Sequence, residues 1–582
     1  MMLFILDTIR TKHLQHISSR SRLADTVRNK LRLLSSSSLT GRDVGIRSVA
    51  ASNLDPSARH LLKDPASTPV MLRARYFFDT LPASCCSPAT TPRPPFHITL
   101  GAKTGWRCVA KLAVRHQCVG QQGHFCGAHA SSPPAIGLFL PGTHRVLSQP
   151  SVAHHPSIER AVDEVREACA VSGVLGYEEI ATRGECLKRN RTKSSKKHQQ
   201  KRQNGAPLQE GWLKYLLLSA DATTGRVQLT LVWDAKAPPP PREADLSTLK
   251  LSALDDSPAH RALSSLVQVL QRQRNRSVLE SLWVHFNPST NPSSGDAFGN
   301  ENSITSLEPH SWRHMWGPRA VYERLVWAEN AFAVDSELDG SVGAPPLLVF
   351  PPSVFRQANS EAFKNIIASI RHWTGDFAAS LLPSSRWPRC LELYGGVGTL
   401  GLNCIDMLQE LLCSDENPHN KACFEETVAN LPVAYQGRAT YHTSSAANML
   451  LPPRKLARRR FDLLIVDPPR KGLDSEVLRA LVAPQNERGG TIVSTVQRLI
   501  YVSCGFKSFQ RDASVLLGLS PPRDPLIEVG ISDKATGSGG QTDPSQAGQG
   551  GSSAWRLVHA EGHVLFPGSD HIETLAIFDR KT

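Results

Sequence analysis

An apolar run, Leu499-Ile500-Tyr501-Val502-Ser503, delivers a cysteine, Cys504, and Gly505 follows at once. A similar run from Phe461 to Val466 delivers Asp467-Pro468-Pro469-Arg470. Two buried-strand patterns that each end in a reactive group predict neighbouring strands of a parallel sheet, whose carboxyl ends face a ligand crevice. Cys504 is then a candidate nucleophile. The competing reading is a core cysteine, because free Cys is among the most buried residue types. Near the end of the chain, Phe566-Pro567-Gly568-Ser569-Asp570-His571-Ile572-Glu573 places a carboxylate just before a last apolar strand. Glu573 is a candidate general base, with a surface glutamate as the alternative.

A second constellation concerns a cofactor. The segment Leu391-Glu392-Leu393-Tyr394-Gly395-Gly396-Val397-Gly398-Thr399-Leu400-Gly401 reads as a strand that opens through a glycine turn into a helix. Glycines there let the backbone approach a ligand, and the helix start offers N–H donors. Leu411-Leu412-Cys413-Ser414-Asp415 reads as the next strand, ending in an acid about twenty residues on, where a ribose hydroxyl would be held. This pattern points to an adenosine-type cofactor.

Asp467-Pro468-Pro469-Arg470 turns the choice from a nicotinamide dinucleotide towards S-adenosyl-L-methionine, although a helix-capping turn at Asp467 is the plainer alternative. Arg470 stands where enzymes that methylate an exocyclic amine carry an aromatic, which argues against that reaction. A ring carbon asks for more. Carbon 5 of uracil is barely nucleophilic until something adds to carbon 6, so its methylation needs a thiolate and then a base for the departing proton.

The elements that would position these groups follow from length and composition. A chain of 582 residues exceeds one core, and two structured domains are expected. With 40% hydrophobic residues and no uninterrupted apolar run near membrane-spanning length, no membrane association is expected. Lys and Arg outnumber Asp and Glu by 66 to 52, a net charge of +14, which fits a polyanionic partner such as RNA. The 12 cysteines show no paired C-x-x-C spacing. Cys118 and Cys126 with His116, His124 and His129 could hold a metal, but they fall in a Gly/Gln-rich stretch and no metal site is assigned.

Residues 1–50 are basic, serine-rich and poor in acids, as in a transit peptide to plastid or mitochondrion; a plain disordered tail of a cytoplasmic protein is the alternative. Residues 51–95 read as linker from their Pro, Ser and Ala content. Strand-like alternation then begins at Trp106 and continues at Ile136 to Leu140. A helix is expected from Ser157 to Ala170, and a hairpin from Trp212–Ser219 and Arg226–Trp233 about Thr224-Gly225. This makes a β-rich α+β domain over 96–350, with a basic insertion at 187–204. From 351 to 582 strands and helices alternate as in a doubly wound α/β, Rossmann-like domain, with a Gly/Ser/Gln-rich insertion at 532–553. The run Lys188 to Arg202 reads as a solvated insertion or a phosphate-contacting arm, and the cluster Arg454, Lys455, Arg458, Arg459 and Arg460 as the better RNA contact.

Together these motifs resemble the RNA uracil-5-methyltransferase family, particularly its divergent plant and algal members, over roughly residues 96 to 580. The resemblance implies that the α/β domain is an S-adenosyl-L-methionine-dependent methyltransferase domain and that Cys504, in Tyr501-Val502-Ser503-Cys504, is the nucleophile. It implies Glu573 as the base and cofactor contacts at Gln357 of Phe355-Arg356-Gln357-Ala358-Asn359, Tyr394, Gly396, Gly398, Thr399, Asp415 and Asp467. The implied partner is tRNA or rRNA, and a monomer is expected. The sequence departs from the family at Gly505, where asparagine is usual, at Asp415, where glutamate is usual, and at Ser445, where an acid often stands. Relatives with an iron–sulfur cluster use four cysteines; Ser151 stands where one would be, so no cluster is expected, and no N-terminal RNA-binding barrel is discernible. The rivals are methylation of another RNA position by the same fold and a catalytically idle RNA-binding homologue. Idleness would leave both Cys504 and Glu573 without a purpose.

Overall fold

The computed structural model describes residues 67–87, 95–116, 133–140, 143, 145–177, 211–237, 257–288, 311–325, 345–381, 386–450, 459–483, 491–519 and 554–581. The expected transit segment 1–50, the basic run 188–202, Arg454, Lys455 and Arg458, the Cys118/Cys126 stretch and the insertion 532–553 lie outside these residues. Two compact units emerge, one combining residues 62–100 with 450–582 and the other spanning 101–449.

The first unit begins with helix α1 (Pro69–Thr80) and strand β1 (His97–Leu100). Composition had marked this stretch as linker, and the structure corrects that reading. Proline sits in the first turn of α1, where its missing N–H costs nothing, and Val70, Met71, Ala74, Phe77 and Phe78 form a buried stripe. The flanking Pro and Ser residues conceal this stripe in a composition average.

In the second unit, β2 (Val109–Arg115), β3 (Ala135–Phe139), β4 (Val146–Leu147), β5 (Leu213–Ala220), β6 (Val227–Trp233), β7 (Leu279–Phe286) and β8 (Trp312–Trp316) form a sheet of order β4-β3-β2-β5-β6-β7-β8. Helices α2 (Pro156–Ser172) and α3 (Pro258–Gln273) belong to the same core, with Ile158, Val162, Val165, Leu263 and Leu266 in one cluster with Leu216, Leu218, Leu229 and Leu231. The expected helix and hairpin are both present; β5 and β6 pair antiparallel, and Asp221 accepts from the turn amides of Thr223 and Thr224 before Gly225 at φ 69°. A short antiparallel pair, β9 (Val321–Glu323) and β10 (Leu348–Phe350), precedes helix α4 (Ser360–Leu381).

The same unit then alternates strand and helix: β11 (Arg389–Leu393), α5 (Thr399–Leu402), β12 (Glu410–Asp415), α6 (Pro418–Ala429) and β13 (Ala439–Thr443), with β11, β12 and β13 parallel in that order. The chain returns to the first unit for β14 (Leu463–Val466), α7 (Ser475–Val482), β15 (Arg498–Ser503), α8 (Phe506–Leu516), β16 (Trp555–Val564) and β17 (Glu573–Arg580). Here β14 and β15 are parallel, β17 runs antiparallel between β15 and β16, and β1 adds in parallel beyond β16. β14 and β15 are buried at every position, as continuous apolar runs of central strands should be. The expected α/β class holds. Among the described residues no helix is long and apolar enough to cross a membrane.

Helix α1 supports α8 through aromatic rings. Phe78 stacks on Phe96 at 4.4 Å and lies 5.8 Å from Phe509 and 6.3 Å from Phe506, while Tyr501 of β15 meets Phe509 edge-on at 5.2 Å. Phe78→Ala should remove about 3–5 kcal/mol of stability, as deletion of a buried phenyl ring does. A thermal or urea denaturation curve shifted by less than about 1 kcal/mol would show that this cluster does not hold the unit together.

Candidate functional site

Strand pairing sets the reactive groups of the first unit. In the parallel pair Val466 lies opposite Tyr501, and in the antiparallel pair Ser503 lies opposite Thr574. One further step along each strand puts Cys504 level with Glu573 and Asp467 level with Val502. All three leave the sheet at the same end. Pro468 and Pro469 lack the N–H a strand would need next, so the chain turns away there.

The turn after Asp467 is tied to α8. Ser508 Oγ donates to the Arg470 carbonyl at 2.7 Å and Arg511 Nη2 to the Lys471 carbonyl at 2.9 Å. Asp512, buried on α8, accepts from Leu473 N at 2.8 Å, from the Tyr501 hydroxyl at 2.9 Å and from Arg511 Nε at 2.8 Å. A buried carboxylate is tolerated only with such partners, and this one joins the turn, β15 and the helix. Gly472 must be glycine: its φ is 86°, and a Cβ would lie 2.4 Å from Asp512 Oδ2.

Burial dominates the electrostatics. It pushes the half-buried Cys504 thiol up to about 12, with Glu573 and Asp467 adding to the rise and Arg470 opposing it. It also raises the Glu573 carboxyl to about 8, again with Asp467 adding and Arg470 opposing. Glu573 therefore holds its proton in most molecules at neutral pH. The His571 imidazole is lowered by burial and by Arg470, against Asp570. Among the described residues no group of His, Cys, Asp and Glu could hold a metal ion.

The glycine turn belongs to the second unit. Tyr394, at the end of β11, is the one non-glycine residue with positive φ, 57°, among the described residues, a strain of about 1–3 kcal/mol. Gly396 has φ 55° and Gly398 has φ 79°. A Cβ on Gly398 would lie 2.5 Å from the Phe424 ring, whereas one on Gly396 would meet nothing within 4 Å. The Gly396 backbone is thus bent and open on one side. Its N–H donates to Asp415 Oδ2 at 3.1 Å, and its carbonyl accepts from the Tyr441 hydroxyl at 3.0 Å. Asp415 Oδ1 accepts from Asn417 N and Asn420 Nδ2, at 2.9 and 3.0 Å. Oδ2 retains acceptor capacity for a ligand hydroxyl. An open glycine backbone beside a half-buried carboxylate fits the ribose end of an adenosine-type cofactor.

Gln357 is half-buried in a segment fixed on both sides. The Arg356 guanidinium donates to the Glu323 carboxylate at 2.9 and 3.1 Å, to Ser219 Oγ and to the Ala220 carbonyl; the Ala358 carbonyl accepts from Cys108 N at 2.7 Å. Asn359 Oδ1 accepts from Ala362 N within the first turn of α4. Thr399 is the first residue of α5. Ser445 Oγ accepts from Asn448 N at 3.3 Å, in the one-turn helix Ala446–Met449. Ser151 is buried beside a hydrogen bond between His154 Nδ1 and the Glu159 carboxylate.

The first unit thus gathers Cys504, Glu573 and Asp467, and the second holds Tyr394, Gly396, Gly398, Thr399 and Asp415 around one turn, with Gln357 on a separate anchored segment. Sequence reasoning missed Asp512 and Ser508, whose importance lies in what α8 packs against. It noticed Arg470 only as the absence of an aromatic.

No protein-family model matches the chain. It is 26% identical over 484 residues to an uncharacterized RNA methyltransferase of Protochlamydia amoebophila, covering 82% of this chain and 87% of that one. It is 25% identical over 294 residues to the 23S rRNA (uracil(1939)-C(5))-methyltransferase RlmD of Xanthomonas axonopodis pv. citri, covering 46% of this chain and 52% of that relative, about half its length. Among solved structures, the tRNA (uracil-54, C5)-methyltransferase of Pyrococcus abyssi, in complex with S-adenosyl-L-homocysteine, aligns with 83% of this chain and 79% of its own at 16% identity and a TM-score of 0.46.

The raised Glu573 carboxyl makes stability depend on pH in a definite direction. Below the ordinary value of 4.5 the group is protonated whether or not the chain is folded, and burying it neutral is favoured. As pH rises from 4.5 through about 8, the unfolded chain releases the proton while the folded one keeps it, and stability is lost. Glu573→Gln should therefore show a shallower fall in melting temperature across that window than the wild type, and an equal or higher one at its upper end. Parallel pH profiles for the two proteins would contradict the placement of this carboxyl.

Proposed function

We propose that this chain is an S-adenosyl-L-methionine-dependent RNA methyltransferase that converts uridine in tRNA or rRNA to 5-methyluridine through a covalent bond between Cys504 and carbon 6. The observation that carries this reading is the facing pair at the end of β15 and the start of β17, a thiol and a buried acid one strand apart. A catalytically idle RNA-binding protein would need neither.

Bound S-adenosyl-L-methionine would supply an electrophilic methyl group, and Tyr394, Gly396 and Asp415 are the residues suited to hold it. The rest falls to side chains of the first unit. The Cys504 thiolate adds to carbon 6, and the electron pair of the 5,6 double bond moves onto carbon 5 and the adjacent carbonyl, which makes carbon 5 nucleophilic. Once carbon 5 carries the methyl group, Glu573 removes its hydrogen as a proton. The electrons left behind re-form the double bond and expel the Cys504 thiolate. For this last step Glu573 must be ionised, so its own proton must first be lost. The net charge of +14 suits the polyanionic substrate.

RNA containing 5-fluorouridine carries fluorine where that proton would be, so the adduct should persist. Wild-type protein with cofactor should form a denaturant-stable complex with such RNA and Cys504→Ala should not; absence of the wild-type complex under conditions where RNA binds would sink the covalent mechanism. On ordinary RNA, Glu573→Gln should accumulate the methylated adduct and turn over about 100-fold or more slowly. The wild-type rate should climb with pH through about 8 as Glu573 ionises. Unchanged turnover in Glu573→Gln would reject its role as base.

A further inference from the structure

Gly505 has φ −123° and ψ 83°, a backbone any residue can adopt, so conformational freedom does not explain the glycine. Space does. A Cβ on residue 505 would lie 2.5 Å from the Arg470 carbonyl oxygen and 3.1 Å from the Arg470 Cα. These are backbone atoms that cannot rotate aside, and Ser508 Oγ fixes that same carbonyl at 2.7 Å. The asparagine usual after the nucleophile in the resembling family could not stand here without displacing the Arg470 peptide.

The charges around Cys504 give this contact its meaning. Glu573 from β17 and Asp467 from the end of β14 both disfavour a thiolate, and Arg470 is the cation that opposes them. His571 and Asp570, in the segment before β17, lie in the same electrostatic neighbourhood through Arg470. The start of α8 directly after Gly505 adds a smaller effect of the same sign as Arg470. Among the described residues the Arg470 guanidinium makes no ion pair of its own. The Arg470 side chain is exposed while its backbone is held against Gly505 and Ser508, beside a thiol and two acids.

We propose that Gly505 and Arg470 act as one device: the missing side chain at 505 lets the Arg470 peptide seat against the Cys504 turn, and the guanidinium delivered there offsets Asp467 and Glu573 so that Cys504 can react as a thiolate. Arg470 is then a positioning and charge-balancing residue. The proposal rests on Cys504 being the nucleophile, but its test does not need turnover.

The rate at which iodoacetamide alkylates Cys504 in the full chain, followed by mass spectrometry of the peptide that contains it, reports thiolate formation without RNA or cofactor. Across a pH series Arg470→Gln should react about tenfold or more slowly than wild type at each pH below the inflection, with the inflection moved up by a unit or more. Arg470→Lys should recover most of that loss. Gly505→Ala should slow alkylation although Arg470 is still present. Superimposed profiles for wild type and Arg470→Gln would overturn the role of the guanidinium. A slow Arg470→Gln beside a wild-type Gly505→Ala would overturn the coupling between the two. The 5-fluorouridine experiment can succeed or fail independently of either outcome.

Discussion

Everything at the candidate site depends on the register between β15 and β17. Ser503 faces Thr574 at one end of the pair, and Arg498 faces Asp579 at the other. A slip of one residue would carry Glu573 to the opposite face of the sheet and leave Cys504 level with Ile572 or Thr574 instead. The far end is locked by a two-pronged ion pair: Arg498 Nε donates to Asp579 Oδ1 at 2.7 Å and Arg498 Nη2 to Asp579 Oδ2 at 3.0 Å. Such a pair adds little net stability once desolvation is counted, but it penalises any other alignment, and fixing register is the best-attested use of a buried ion pair. Apolar strands alone tolerate slippage far better. The ion pair at one end of these strands thus favours the alignment that brings Cys504 level with Glu573 at the other.

Each unit carries a group that opposes folding. Burying Glu573 with Asp467 nearby keeps its carboxyl protonated well above the ordinary range, and Tyr394 stands at a positive φ that a non-glycine residue adopts at a cost. These features persist because the surroundings over-determine them. Asp512 ties the turn after Asp467 to α8 and β15, the phenyl rings of α1 support α8 from behind, and Asp415 with Tyr441 holds the Gly396 peptide. In each unit the unfavourable group is held by hydrogen bonds and apolar packing of that unit's own.

How much of this was legible in the sequence follows from the range of each interaction. The apolar runs before Asp467 and Cys504 are local patterns and became β14 and β15; the glycine turn, the strand ending in Asp415, the helix near residue 160 and the hairpin about Gly225 were equally local. Helix α1 was missed because its stripe of Val70, Met71, Ala74, Phe77 and Phe78 is short and framed by linker-like residues. Asp512 and Ser508 were missed because an acid and a serine on a helix look alike whether they face water or a neighbouring turn. In sequence Gly505 is only a departure from the family pattern; the approach of the Arg470 backbone, across a long stretch of chain, gives it a reason. Beyond the parallel neighbours β14 and β15, pairing such as β15 with β17 and β1 with β16 was the part that periodicity could not supply.

The central claim is that carbon 5 of a uridine gains a methyl group and gives up its hydrogen to a base. RNA carrying tritium at carbon 5 of uridine tests this directly, because the label leaves as water only if that proton is removed. The account predicts one tritium released for each methyl group transferred. Methylated RNA that retains its tritium would place the methyl group elsewhere and contradict the account.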